Sequence, residues 1–151
     1  MTDATRLIHD AVAVLVVWQL VAPAATLAAI GLPALVGRPL GERTTTRVVG
    51  TGFVTGVLAA LATLAALAAR EFAPEIVHLG TLFEVGHHAA TVELVADLLS
   101  VPYVCFSTGL CALVNAFAGK YLHREPGFTR FFILLALFGT GMNLMVLAGS
   151  I

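Results

Sequence analysis

The 151-residue chain is 59% hydrophobic and only 11% charged, with a mean hydropathy of +0.97. Soluble domains carry about a quarter charged residues, so this composition excludes an ordinary water-soluble globule and points to a membrane protein. The net charge of −1 gives no reason to expect nucleic acid as a partner and makes the placement of charge the informative quantity.

A spanning helix needs about 20 mostly apolar residues, and four windows qualify: 11–35, 48–69, 98–118 and 131–148. The first holds Pro23, Gly31 and Pro33, which predicts a kink near Pro23 and an early end, a defect that neighbouring helices can absorb inside a membrane. Its VAPAATLAA segment also offers a signal-peptide cut site. Against cleavage, the leader sets Asp3 and Asp10 against a lone Arg6, and the apolar run continues past the site, so the window is read as a span. The second window is nearly all Ala, Leu, Val, Thr and Gly, and its Gly52 and Gly56 form a G-x-x-x-G pair that permits close helix approach. Between the second and third windows, TLFEVGHH and ATVELVAD alternate in polarity around 86–90, which predicts a small hairpin on the outer face. A two-stranded ribbon is marginal alone and is expected to lean on a neighbouring chain or a longer continuation.

The link between the third and fourth windows reads KYLHREPGFTR. Pro126 disfavours helix at Glu125, Gly127 permits a reversal, and Thr129 is placed to cap a helix starting at Arg130. The expected architecture is therefore an all-α membrane protein of four transmembrane helices with an extracytoplasmic β-hairpin between helices 2 and 3, forming one module over 1–151. Orientation follows from Lys and Arg in the short loops. Arg38, Arg43 and Arg47 lie in the first link and Lys120, Arg124 and Arg130 in the third, six of the eight basic residues. Both links are expected to face the cytoplasm, near anionic headgroups, with the termini outside.

Candidate chemistry is sparse. No ionisable residue occupies the centre of any window, and such groups are what a proton path through hydrocarbon requires, so this segment alone is not expected to conduct protons. Asp97, at the outer end of the third window, fits a helix cap. His87 and His88 sit near His78, Glu84 and Glu93, but adjacent strand side chains point to opposite faces, which argues against a shared metal. Cys105 and Cys111 lie in one apolar run at a spacing that points them in different directions at about 100° per residue, so they are read as packing residues. Ser107, Cys111 and Asn115 recur every four residues, and Thr140 and Asn143 follow on the fourth window. These are read as inter-helix contacts. No residue is assigned to catalysis, to a cofactor or to a metal. A four-helix thiol oxidoreductase would need a reactive cysteine pair that this spacing does not provide, and a small scaffold or assembly protein stands as the alternative class.

From Val95 to Ser150 the sequence resembles the third and fourth helices of the proton-conducting antiporter-like membrane subunits, a family that includes the large antiporter-like subunit of complex I, DAB-type inorganic carbon transporter membrane subunits and Mrp-type antiporters. The residues that carry the likeness are Asp97, Leu99 and Ser100 before the third helix, Tyr121, Glu125, Pro126 and Gly127 in the turn, and Arg130, Phe131 and Phe132 opening the fourth. The YLHREPGF segment looks closest to the DAB branch. The resemblance implies a larger subunit in a bacterial inner membrane whose proton channel depends on a Glu in the fifth helix and a Lys in the seventh. Neither has a counterpart here, so the chain is expected to be the N-terminal portion of such a subunit. Implied partners are the remainder of that subunit, surrounding lipid, and either a zinc-containing carbonic-anhydrase-like soluble subunit or other complex I membrane subunits.

Overall fold

The computed structural model describes residues 3–70, 73–85 and 88–148. Helix α1 runs Asp3–Leu35, α2 Glu42–Ala69, α3 Ser100–Tyr121 and α4 Phe128–Leu147, with strands β1 (Glu75–Val85) and β2 (His88–Ala96) between α2 and α3. Each helix contains a stretch long and apolar enough to cross a bilayer, as the hydropathy windows predict. The boundaries differ where polar residues continue a helix into the interface. Helix α2 starts at Glu42 rather than 48, because Arg43, Thr45, Thr46 and Arg47 continue it, with Thr45 and Thr46 bonding back to carbonyls four residues earlier. Helix α3 reaches Tyr121, and α4 begins at Phe128. The expected early end does not occur: α1 continues through both Pro23 and Pro33 and ends at Leu35, the far bound of the first window.

The helices pack as a ring in which α1 touches α2 and α4, and α3 touches the same two. Successive helices are antiparallel neighbours, as short links require. Both basic links therefore lie at one end and the hairpin at the other. Unlike a soluble bundle, this one has an outer surface as apolar as its core, and polar side chains are enclosed within it. Its exposed surface carries Val14, Leu58, Phe106, Leu113, Phe117, Leu134 and Phe138, while Gln19, Thr63, Thr108 and Asn143 are buried. This is the distribution expected where the surrounding solvent is hydrocarbon. Small residues bring the backbones together. Gly52 faces Thr26 of α1, and Gly56, one turn on, faces Thr108 of α3. The G-x-x-x-G pair thus wedges α2 between two neighbours.

The strands pair antiparallel, with Glu75 opposite Ala96 and Val85 opposite His88, and register shifts between His78 and Gly80 and between Thr81 and Phe83. Both strands are longer than the alternating segments suggest, because EIVHLG joins β1. The expected turn over 86–90 is shorter than predicted, because His88, Ala89 and Ala90 already belong to β2, while Gly86 and His87 lie outside the described residues. The base of the ribbon rests on its own helices. Leu94 and Ala96 are fully buried among Val12, Val16, Leu67, Val101 and Leu147, and Leu94 forms an isolated backbone bridge with Ala148. Glu75, only 3% exposed, completes the attachment: its carboxylate meets Arg70 Nη1 and His9 Nε2, each at 2.6 Å. One acid thereby ties β1 to the ends of α1 and α2.

A Cβ built on Gly139 would lie 2.5 Å from Cε1 of Phe53, a ring that is itself fully buried and has nowhere to move. Gly139→Ala is expected to lower the unfolding free energy by about 1–3 kcal/mol. Gly31→Ala, which meets nothing within 4 Å, is expected to leave stability unchanged or raise it slightly. Thermal unfolding of the two variants in the same detergent checks the contrast.

Candidate functional site

The centre of the bundle holds one polar network that reaches all four helices. Proline at 23 has no N–H to give the carbonyl of Gln19 one turn earlier, and in a membrane a freed backbone carbonyl must find another partner. Asn143 of α4 supplies it: Nδ2 donates to the Gln19 carbonyl at 2.8 Å. On its other side Asn143 Oδ1 accepts from the hydroxyl of Thr108 at 3.3 Å and lies at the same distance from that of Ser107, both on α3. The Gln19 side chain turns to α2, where Nε2 donates to Thr63 Oγ1 at 2.8 Å, and Thr63 in turn donates to the carbonyl of Ala59 at 2.9 Å. Gln19 is 0% and Asn143 1% exposed, so each bond closes a group that has no water to turn to.

A second polar contact lies nearer the basic end, where Asn115 Nδ2 donates to the carbonyl of Thr46 at 3.3 Å. Gly50 makes the approach possible, since a Cβ there would stand 2.8 Å from Asn115 Nδ2. Thr140, the other polar residue of α4, bonds instead to the carbonyl of Ala136 in its own helix. Cys105 and Cys111 are free thiols, and Cys111 packs beside Gly139 and Phe53. Gln19, Thr63 and Thr108 are the network members that sequence patterning alone does not single out. The signal for Gln19 is its position four residues before Pro23.

At the outer end, Asp97 and Ser100 form a reciprocal cap for α3. Asp97 Oδ1 accepts the backbone N–H of Ser100 at 2.6 Å and that of Leu99 at 3.0 Å, while Ser100 Oγ accepts the N–H of Asp97 at 2.9 Å and donates to the carbonyl of Val95. The N–H of Ser100, chiefly, holds the Asp97 carboxyl below the usual carboxylate range, against a smaller opposing effect of partial burial. The acid–serine pair therefore sets where α3 begins and joins it to the end of β2.

At the opposite end, the reversal between α3 and α4 differs from the sequence expectation. Gly127 sits at φ −90°, and the left-handed residue is Arg124, at φ +68°. Thr129 does not cap α4, which starts at Phe128 with no side-chain cap on Gly127. What holds the turn is Glu42 of α2. Its Oε1 accepts the backbone N–H of Arg124 at 3.0 Å, and its Oε2 lies 2.6 Å from His123 Nδ1. Tyr121, Pro126, Gly127 and Arg130 are exposed. Phe132 is fully buried against Phe128, with ring centroids 4.7 Å apart, and Phe131 meets it edge-on at 5.4 Å. The motif thus combines a surface turn with an aromatic plug. Of the histidines, His78 Nδ1 lies 3.0 Å from Glu93 Oε1, its partner across the ribbon. His87 and the side chains of Glu84 and His88 lie outside the described residues. Among the described residues, no three His, Cys, Asp or Glu side chains converge as a metal site.

The fold is that of a multi-pass membrane module whose largely apolar interior is crossed by a neutral polar network. Residues 82–132, about a third of the chain, match the family model for the N-terminus of NADH-ubiquinone oxidoreductase (complex I) chain 5. That match takes in the cap at Asp97 and the turn through Phe132. The chain is also 31% identical, over 112 residues, to the probable inorganic carbon transporter subunit DabB1 of Halothiobacillus neapolitanus (strain ATCC 23641 / c2), an alignment covering 74% of this chain and 18% of that protein. The chain is therefore similar to the antiporter-like membrane subunits in the region of their N-terminal part, and spans less than a fifth of the length of the relative it matches.

Because the folded-state pKa of Asp97 lies below its unfolded value, its contribution is fully present above the ordinary carboxylate range. It is lost as pH falls through that range towards the folded value. Asp97→Ala is expected to cost about 1 kcal/mol at neutral pH, and the gap from wild type should close in acid. Unfolding of both proteins across a pH series checks the sign.

Proposed function

We propose that this chain is the N-terminal helical module of a proton-translocating membrane subunit, and that the subunit serves inorganic carbon uptake rather than quinone reduction. The observation that carries the carbon assignment is the 31% identity to the carbon transporter subunit, which extends over 74% of the chain. The match to complex I chain 5 supports the broader proton-translocating reading.

In this account the chain contributes position rather than proton chemistry. Its interior holds amides and hydroxyls, none of which takes up or releases a proton near neutral pH. The network from Thr63 through Gln19 and Asn143 to Thr108 fixes the four helices as a wall, against which channel-bearing helices of the same subunit stand. Those helices carry the titratable line, and a soluble carbonic-anhydrase-like partner with its own zinc couples proton movement to hydration of carbon dioxide. The whole of 1–151 acts as one module in a bacterial inner membrane. The N-terminus lies outside, and the links carrying Arg38, Arg43, Arg47, Lys120, Arg124 and Arg130 face the cytoplasm, following the bias of basic residues.

A strain lacking the chain is expected to require elevated carbon dioxide for growth while its inner-membrane vesicles keep NADH-driven acidification. Growth comparison at low and high carbon dioxide, with a pH-sensitive dye in the vesicles, separates the readings. Loss of NADH-driven acidification would replace the carbon assignment with the complex I one. A strain with neither defect would contradict both and favour the scaffold alternative.

A further inference from the structure

We propose that the cleft between the start of α2 and the end of α3 binds the phosphodiester headgroup of an anionic phospholipid. The cleft measures about 370 Å³ and is lined by Arg43 and Arg47 on one wall and Lys120 on the other, with Ala116 and Gly119 at its base. Among the described residues, none of these three cations has a carboxylate within 4.0 Å. The one acid in the cleft wall, Glu42, is already engaged on the loop side by His123 Nδ1 and the N–H of Arg124. Three cations gathered with only the Glu42 carboxylate nearby, and none in contact, repel one another, and a bound phosphate reduces that cost. The first turn of α2 adds the positive end of a long helix on the same side.

A lipid, rather than a free anion, follows from what lies below the cleft. Arg43 and Arg47 continue down α2 at helical spacing through Gly50 to Val54, and Lys120 continues down α3 through Ala116 to Leu113. Val54 and Leu113 are both about half exposed, at 50% and 54%. They offer acyl chains an apolar track leading straight out of the cationic pocket. Gly119 keeps the pocket open, because a Cβ there would meet Thr46 Cγ2 at 2.6 Å and leave no room between the helices. Arginine pairs at this spacing present forked donors suited to a phosphate's oxygens.

The test uses the full-length protein in phosphatidylcholine nanodiscs doped with phosphatidylglycerol, with retained lipid read by native mass spectrometry. Phosphatidylglycerol is expected to be held in preference to phosphatidylcholine. Retention should fall roughly fivefold for each cation removed in Arg47→Gln and Lys120→Gln, with Lys120→Arg restoring it and Arg38→Gln, outside the cleft, leaving it unchanged. An equal loss in Arg38→Gln would mean diffuse surface attraction and overturn the site. Displacement by millimolar inorganic phosphate would show an anion pocket and overturn the lipid assignment. Unchanged retention in both cleft variants would overturn the proposal outright.

Discussion

Helices surrounded by hydrocarbon gain little by exchanging lipid contacts for contacts with one another, so what holds this bundle is the carbonyl that Pro23 leaves without an N–H. Asn143 crosses from α4 to take it, and the same amide gathers the hydroxyls of Ser107 and Thr108. Gln19, whose backbone carbonyl is the one bonded, uses its side chain to reach Thr63 on α2. Breaking any link strands a polar atom in a medium that cannot solvate it, and close packing at Gly52, Gly56 and Gly139 brings the partners within reach. The proline is thus the reason the network has a centre.

The two ends of the bundle are fastened differently. At the hairpin end, burial and polar contact act together: Leu94 and Ala96 fill the opening between helices, and Glu75 pairs with Arg70 and contacts His9. At the basic end, Glu42 clamps the α3–α4 turn and leaves Arg43, Arg47 and Lys120 facing outward into a cleft. One end is therefore closed on itself, and the other keeps uncompensated charge available to its surroundings. That asymmetry suits a module that seats the base of a ribbon at one end and presents cations at the other.

Much of this architecture was legible in the amino-acid order because membrane helices announce themselves by length and hydropathy, and the ribbon by its alternation. The Asp97–Ser100 pair also lay open to reading, since a cap is a local arrangement of residues three apart. What escaped was long-range. That the His123–Arg124 turn depends on Glu42 is a contact between residues more than eighty positions apart, and no local rule points to it. The turn looked like glycine chemistry at Gly127, yet the left-handed residue is Arg124 because Glu42 holds its N–H. Glu75 and Gln19 escaped for a related reason: a lone acid beside a strand, or a lone amide in an apolar run, shows its role only when the partner elements arrive.

The central claim is that Asn143 matters because of Pro23, and a double-mutant cycle in detergent measures that dependence directly. Pro23→Ala restores an N–H for the Gln19 carbonyl, so Asn143→Leu should destabilise the Pro23→Ala variant less than the wild type. The expected coupling is about 1 kcal/mol. Strict additivity of the two substitutions would contradict the account.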